Sequence, residues 1–175
     1  ADLLAANESF EEAIAIWTPQ IAASKAPDWQ LIYSRGRANE RLGRWKVAEA
    51  DLIQALALRP DDAELLNYLG YAWIDRSERV PEALAMVEKA VAANPRSGAI
   101  IDSLGWANYR TGNLDEAESL LRNALERFPD AEVAAHLGEV LWANGKQPEA
   151  KKVWAAAQKE QPDNTILRET LKRLT

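Results

Sequence analysis

Few residues in this sequence could do chemistry, and they are not spaced for catalysis. His136 is the one histidine and cysteine is absent, which excludes a thiolate nucleophile and a thiolate metal site. One histidine without cysteine cannot anchor a zinc site. Ser103 lacks the strand–turn–helix context of a nucleophile elbow. We therefore interpret His136 as a partly exposed structural residue.

Carboxylates and glycines are more numerous, and both have structural explanations. Acidic pairs lie near predicted helix starts, where they complement the helix dipole; they are Glu11/Glu12, Asp61/Asp62 and Asp115/Glu116. The glycines follow no predicted strand and do not form a Gly-x-Gly-x-x-Gly loop. The sequence thus predicts no catalytic, cofactor-binding or metal-binding residue, and we expect a protein that is not an enzyme.

Composition narrows the classes of partner. The net charge of −6 and the isoelectric point near 5.0 argue against a nucleic-acid partner, which favours a concentrated basic face. No apolar run approaches the roughly 18 residues of a membrane span, so direct membrane insertion of this segment is not expected. The absence of cysteine fits a cytoplasmic or a bacterial periplasmic protein equally well.

The elements that position these residues follow a repeat. Prolines recur at intervals of 33, 35, 34 and 33 residues, at Pro27, Pro60, Pro95, Pro129 and Pro162. In the same register lie Gly36, Gly70, Gly105 and Gly138; Ala48, Ala83, Ala117 and Ala150; Ala55, Ala90, Ala124 and Ala157; and the turn residues Gly43, Ser77, Gly112 and Gly145. A period of about 34 predicts pairs of antiparallel helices that cross at small residues.

This Leu-Gly-x-x-aromatic…Gly…Ala…Ala…Pro pattern resembles the tetratricopeptide repeat (TPR). The resemblance implies an all-α helix-turn-helix solenoid, a right-handed superhelix, with a C-terminal capping helix. The second repeat departs from the pattern by one extra residue within 74–80 and by Ser77 in place of glycine. The first and third carry Asn39 and Asn108 where the family usually has an aromatic residue or leucine.

The resemblance predicts one TPR array over residues 1–175. Its expected parts are a partial repeat over 1–26, repeats over 29–60, 63–95, 98–129 and 131–162, and a capping helix over 164–175. The register places Ala1 inside a first helix, so we expect the chain to be a piece of a longer array. Pro19 is expected to kink the helix that contains it or to end it early.

In a TPR array the first helix of each repeat lines a concave groove. The family's groove positions fall here on aromatic, arginine and polar residues, which predicts the following partner-binding set: Tyr33, Arg37, Arg41, Asn67, Tyr71, Asp102, Trp106, Tyr109, Arg110 and Trp142. Aromatic residues and arginine are enriched at binding hot spots. These aromatics could alternatively pack between helices. Leu104 and Ala107 already fill core positions, however, so we expect that the fold does not require Asp102, Trp106, Tyr109 or Arg110.

The resemblance implies a non-catalytic adaptor that holds a partner protein or peptide in the groove. The lysine- and asparagine-rich carboxylate clamp of chaperone-tail-binding TPR domains is not reproduced, because Arg37, Tyr71, Trp106 and Glu139 follow the four repeat glycines. Residues 65–157 are also similar to bacterial envelope TPR lipoproteins and adaptors, which favours the periplasm or cell envelope over the cytoplasm. Self-assembly, and a helper role within a larger enzymatic chain, are the alternatives.

Overall fold

The computed structural model describes residues 9–175. Within that range the chain forms helices and no strands, which confirms the all-α prediction. The helices are α1 (Phe10–Ala23), α2 (Trp29–Arg41), α3 (Trp45–Leu58), α4 (Ala63–Asp75), α5 (Val80–Ala93), α6 (Gly98–Arg110), α7 (Leu114–Arg127), α8 (Ala131–Ala143), α9 (Gln147–Glu160) and α10 (Thr165–Leu174). No helix in this part of the chain has the length and apolar character that crossing a membrane requires.

The described residues divide between Leu69 and Gly70 into two compact units, which we call unit 1 (residues up to 69) and unit 2 (residues 70–175). The division falls inside α4, which contributes residues to both. In unit 1, α2 packs against α3. In unit 2, α6 packs against α7, α8 against α9, and α10 against α8.

Small residues mark the helix crossings, as the repeat predicts. Ala117 and Ala124 of α7 are fully buried, and a Cβ atom added to Gly105 of α6 would come within 2.6 Å of the Leu121 side chain. Two helices approach this closely only where one of them lacks a side chain. The packing of α6 against α7 therefore depends on Gly105.

The turn between the helices of each pair uses left-handed backbone. Gly112 has φ of +89°, and Ser77, which takes the corresponding position in the second repeat, has φ of +56°. The extra residue of that turn adds a second left-handed position at Arg79, with φ of +45°. Non-glycine residues pay a steric cost in this region, so the departure of the second repeat from the family pattern leaves the turn strained.

Two expectations about the first residues have different outcomes. Helix α1 continues through Pro19 to Ala23, so Pro19 does not end the helix early, and the other predicted alternative, a kink at Pro19, stays a prediction. Proline supplies no N–H, but Trp17 and Ala13 are buried and anchor this helix by packing. The predicted position of Ala1 lies outside the described residues.

Helix α10 caps unit 2 with one apolar side, as predicted. Leu167 is buried, and Leu171 and Leu174 pack against the same core, which includes Trp154 and Leu137. Ile166 of the same helix is 36% exposed. Asn164 caps the helix by accepting a hydrogen bond from the Leu167 N–H at 2.9 Å.

Candidate partner-binding surface

In unit 1, two of the predicted groove residues meet around a tyrosine that the prediction missed. The Tyr33 and Tyr68 rings contact edge to face, with centroids 5.6 Å apart. The Arg37 guanidinium lies 5.5 Å from the Tyr33 centroid and 5.4 Å from the Tyr68 centroid. The Tyr68 hydroxyl donates to the Glu40 carboxylate. Tyr68 lies two residues before Gly70, outside the offsets that the resemblance supplied.

The other two predicted residues of unit 1 differ in their surroundings. Arg41 is exposed in the last turn of α2. Asn67 is half-buried, and within the described structure its Oδ1 atom is buried without a hydrogen-bond partner. An acceptor in this state costs free energy unless a donor reaches it. Their partner-binding role stays a prediction.

In unit 2, a buried histidine–carboxylate pair lies beneath the predicted groove residues. The Nδ1 atom of His136 is 2.9 Å and 3.1 Å from the two Asp102 carboxylate oxygens. The His136 ring stacks on Trp106 with centroids 4.3 Å apart, and Trp106 contacts Tyr109 at 5.1 Å. His136 is only 4% exposed, so the expectation of a partly exposed histidine is wrong.

The carboxylates around His136 favour its charged form. Burial alone would lower the pKa of His136, but Asp102, Glu132 and Glu139 raise it above its ordinary value. Glu132 is itself largely buried, which raises its pKa, and it accepts a hydrogen bond from the Tyr71 hydroxyl at 3.2 Å. Tyr71 thus belongs to a network that reaches His136 through Glu132.

Burial also corrects the prediction for α6. Asp102 is 6% exposed and its carboxylate is engaged by His136, while Trp106 is 7% exposed and covers that pair. The expectation that the fold does not require Asp102 and Trp106 is therefore wrong. The family offsets place both residues on one face of α6, but they do not show that α8 presents an imidazole to that face.

An open pocket lies beside the small part of Trp106 that stays exposed. It has a volume of about 540 Å³ and brings together side chains from α4, α6, α8 and α10. The lining residues are Asp75, Trp106, Tyr109, Arg110, Glu139 and Arg173. Three of the six, Trp106, Tyr109 and Arg110, belong to the predicted partner-binding set.

Both arginines that line this pocket are paired with a carboxylate, and Arg110 also contacts an aromatic ring. The Arg110 guanidinium lies 5.8 Å from the Trp106 centroid and 3.8 Å from the Asp75 carboxylate, and it donates to the Ser77 Oγ at 2.6 Å. Arg173 donates to the two Glu139 carboxylate oxygens at 3.0 Å and 2.5 Å.

The residue that the groove prediction missed here is Arg173. It lies on α10, the capping helix, which supplied none of the predicted groove residues. Glu139, its partner, is 6% exposed and also accepts a hydrogen bond from the Tyr109 hydroxyl at 3.2 Å. Glu139 occupies one of the family's groove positions. Because buried charges are paired, a carboxylate there indicates that a cationic side chain of the same protein lies nearby. The sequence pattern does not say which residue supplies that cation.

Trp142 is not among the residues that line this pocket. Its ring stacks on the core residue Trp154 with centroids 5.7 Å apart, and the Lys151 ammonium lies 5.7 Å from the Trp142 centroid. Trp154, Trp17 and Trp73 are buried, whereas Trp45 is half-buried. Trp142 is half-buried, and its partner-binding role stays a prediction.

A second cavity of about 520 Å³ lies between α7, α8 and α9. Its walls are largely apolar and include Leu125, Ala134, Val153 and Ala157. In the described part of the chain, no three His, Asp or Glu side chains are grouped so that they could hold a metal ion.

Comparison with known sequences supports the repeat. The tetratricopeptide repeat family matches residues 33–98 and 103–165. The chain is 45% identical over 177 aligned residues to the TPR repeat-containing protein PA4667 of Pseudomonas aeruginosa. That alignment covers 100% of this chain and 30% of the relative, so the chain spans about a third of the relative's length.

Solved structures share the fold at low sequence identity. The thermophilic TPR protein TTC0263 of Thermus thermophilus is similar with a TM-score of 0.79 and 21% identity, over 98% of this chain and 93% of that one. YrrB, described as a TPR protein with an unusual peptide-binding site, is similar with a TM-score of 0.68 and 21% identity, over 98% of this chain and 88% of that one.

Proposed function

The chain belongs to the tetratricopeptide repeat family. We propose that it is a non-catalytic adaptor that binds a segment of a partner protein. The proposed binding face is the one that the first helices of the repeats form in unit 2. The observation that carries this proposal is the open pocket of about 540 Å³ bounded by Trp106, Tyr109 and Arg110. These are residue types that dominate binding energy at protein interfaces.

The physical state of Tyr109 supports a binding role. The ring is half-buried against Trp106, so its exposed part offers an apolar surface whose orientation is already set. Side chains that are ordered before binding lose less conformational entropy when a partner arrives. Arg110 is similarly held by Ser77 and Asp75.

The comparisons support the class of ligand. YrrB, a protein of the same fold, is described as having a peptide-binding site. Extended and helical peptide segments are common ligands of grooves on protein surfaces. The proposed ligand is therefore a peptide segment rather than a small molecule.

Selection from a library of random peptides tests the proposal. Peptides bound by the chain are expected to lose most of their affinity, about thirtyfold or more, for Tyr109→Ala, since hot-spot truncations cost at least about 2 kcal/mol. The matched control is Phe128→Ala, which truncates an aromatic side chain that is 46% exposed outside the pocket. Equal affinity for the two variants would contradict the proposal.

Self-assembly is tested with the same material. Sedimentation of the chain at several concentrations gives its mass. Tyr109→Ala could dissociate an oligomer of this chain while peptides bind the wild type and the variant with equal affinity. That result would mean that the pocket serves self-association and that the adaptor proposal is wrong.

A further inference from the structure

The pocket of unit 2 is built to hold guanidinium groups. Glu139 is a buried carboxylate in its lining, and its oxygens accept hydrogen bonds from Arg173 and from the Tyr109 hydroxyl. Carboxylates and aromatic faces together favour guanidinium, which forms two parallel hydrogen bonds and stacks on rings.

We propose that unit 2 recognises a partner segment by an arginine side chain, which replaces Arg173 on the Glu139 carboxylate. This inference rests on the proposed function and names the chemistry of its ligand. The Arg173 guanidinium is then an intramolecular stand-in for the partner's arginine, supplied by the last turn of α10.

Arg173 is suited to being displaced. Its side chain is 57% exposed, whereas that of Glu139 is 7% exposed. The buried carboxylate must keep a cation, but the exposed guanidinium can move into water at little cost. Exchange of one arginine for another conserves the charge-assisted hydrogen bonds and lets the incoming segment cover Tyr109.

The charged residues that line the pocket, two carboxylates and two arginines, do not form a site for an anion. Burial raises the pKa of Tyr109, and the Glu139 carboxylate raises it further. The pKa of Tyr71 is likewise raised by burial and then by Glu132, Asp102 and Asp75. Arg110 and Arg173 are both already matched by carboxylates, so neither offers an uncompensated charge to a partner's carboxylate.

A chemical-rescue experiment tests the inference. The probe is N-acetylarginine amide, with the uncharged isostere N-acetylcitrulline amide and the anionic N-acetylglycine as comparisons. Arg173→Ala removes the stand-in, so it is expected to bind the arginine probe about fivefold more tightly than wild type, the most that an exposed ion pair contributes. The probe is also expected to raise the Tm of Arg173→Ala more than that of wild type.

Two variants control for folding and position. Glu139→Gln combined with Arg173→Met removes both charges, which buried pairs tolerate better than the loss of one, and this variant is expected to lose the arginine response. Arg168→Ala removes another exposed arginine of α10 and is expected to respond as wild type does. Should Arg173→Ala not fold even with the probe, Arg173→Lys, a weaker competitor, must still show tighter arginine binding than wild type.

The inference is overturned if Arg173→Ala and Arg173→Lys gain no affinity, if citrulline matches arginine, or if the carboxylate probe binds more tightly. Failure of the proposed function is distinguishable. Selected peptides that lack arginine yet depend on Tyr109 would leave the adaptor role standing and remove the arginine inference. Selected peptides that do not depend on Tyr109 would remove both.

Discussion

His136 stacks on Trp106 with ring centroids 4.3 Å apart. Trp106 therefore covers the buried His136–Asp102 pair and also lines the pocket. The Asp102 carboxylate is hydrogen-bonded to the Nδ1 atom of the same imidazole. The partner-binding surface that we propose is therefore narrower than the helix pattern suggests. It centres on Tyr109, Arg110 and Glu139 with Arg173.

Truncation of Trp106 is expected to destabilise unit 2. Trp106→Ala leaves a cavity over the His136–Asp102 pair and should lower the free energy of unfolding by about 3–5 kcal/mol, the range for buried large-to-small changes. Thermal or urea unfolding checks this, with Phe128→Ala expected to cost under about 1 kcal/mol as an exposed control. A Trp106→Ala protein as stable as wild type would show that the ring is not part of the core.

The stability of unit 2 is expected to depend on pH through His136. Its folded pKa is raised by Asp102, Glu132 and Glu139 against the effect of burial, and Tyr71 faces it from α4. A raised folded pKa means that the contribution is complete below about pH 6.5 and is lost as the pH rises through the folded value.

His136→Gln should therefore cost more stability at pH 6 than at pH 9, by about 1–3 kcal/mol, the range for a hydrogen bond to a charged group. Urea denaturation of both proteins at the two pH values measures the difference. The same cost at both pH values would mean that His136 is neutral in the folded protein.

Glu118 is expected to give the opposite pH dependence. Although burial opposes it, hydrogen bonds from Lys146, Asn144 and Arg122 lower the pKa of Glu118 to about 2. A depressed folded pKa gives stability that is complete above the ordinary glutamate value of about 4.3 and is lost as the pH falls towards 2.

Glu118→Gln should cost about 1–2 kcal/mol at pH 7, less than the full shift implies because Lys146 and Arg122 are about half exposed. The difference from wild type should shrink towards pH 2.5. Denaturant melts across this range measure it, and a constant difference would contradict the proposed ion cluster.

Glycines at one repeat position are expected to tolerate alanine unequally. A Cβ at Gly138 would come within 2.0 Å of the Trp154 Nε1, whereas one at Gly36 would lie 3.1 Å from the Asp51 Cβ. Gly138→Ala should cost about 3 kcal/mol or more, since overpacking this severe forces Trp154 to shift. Gly36→Ala should cost less, and Tm measurements that rank the two variants the other way would be inconsistent with the packing.

The repeat and its helices could be predicted because the small residues that set them recur in register. The equivalence of Gly36 and Gly138 in the sequence hides their different neighbours, however. The pattern also places Asp102, Trp106 and Tyr109 on one helix face without showing that His136 buries the first two. Nor does it reveal Arg173, because no helical period connects α10 to Glu139.

The most direct test of the adaptor role is site-specific photocrosslinking to a partner peptide selected with the wild-type chain. The photoreactive residue p-benzoylphenylalanine replaces Tyr109 in one protein and Phe128 in a matched control, and adducts are mapped by mass spectrometry. The proposed pocket predicts a strong adduct from position 109 and little from position 128. An adduct confined to position 128, or equal at both positions, would contradict binding at the pocket.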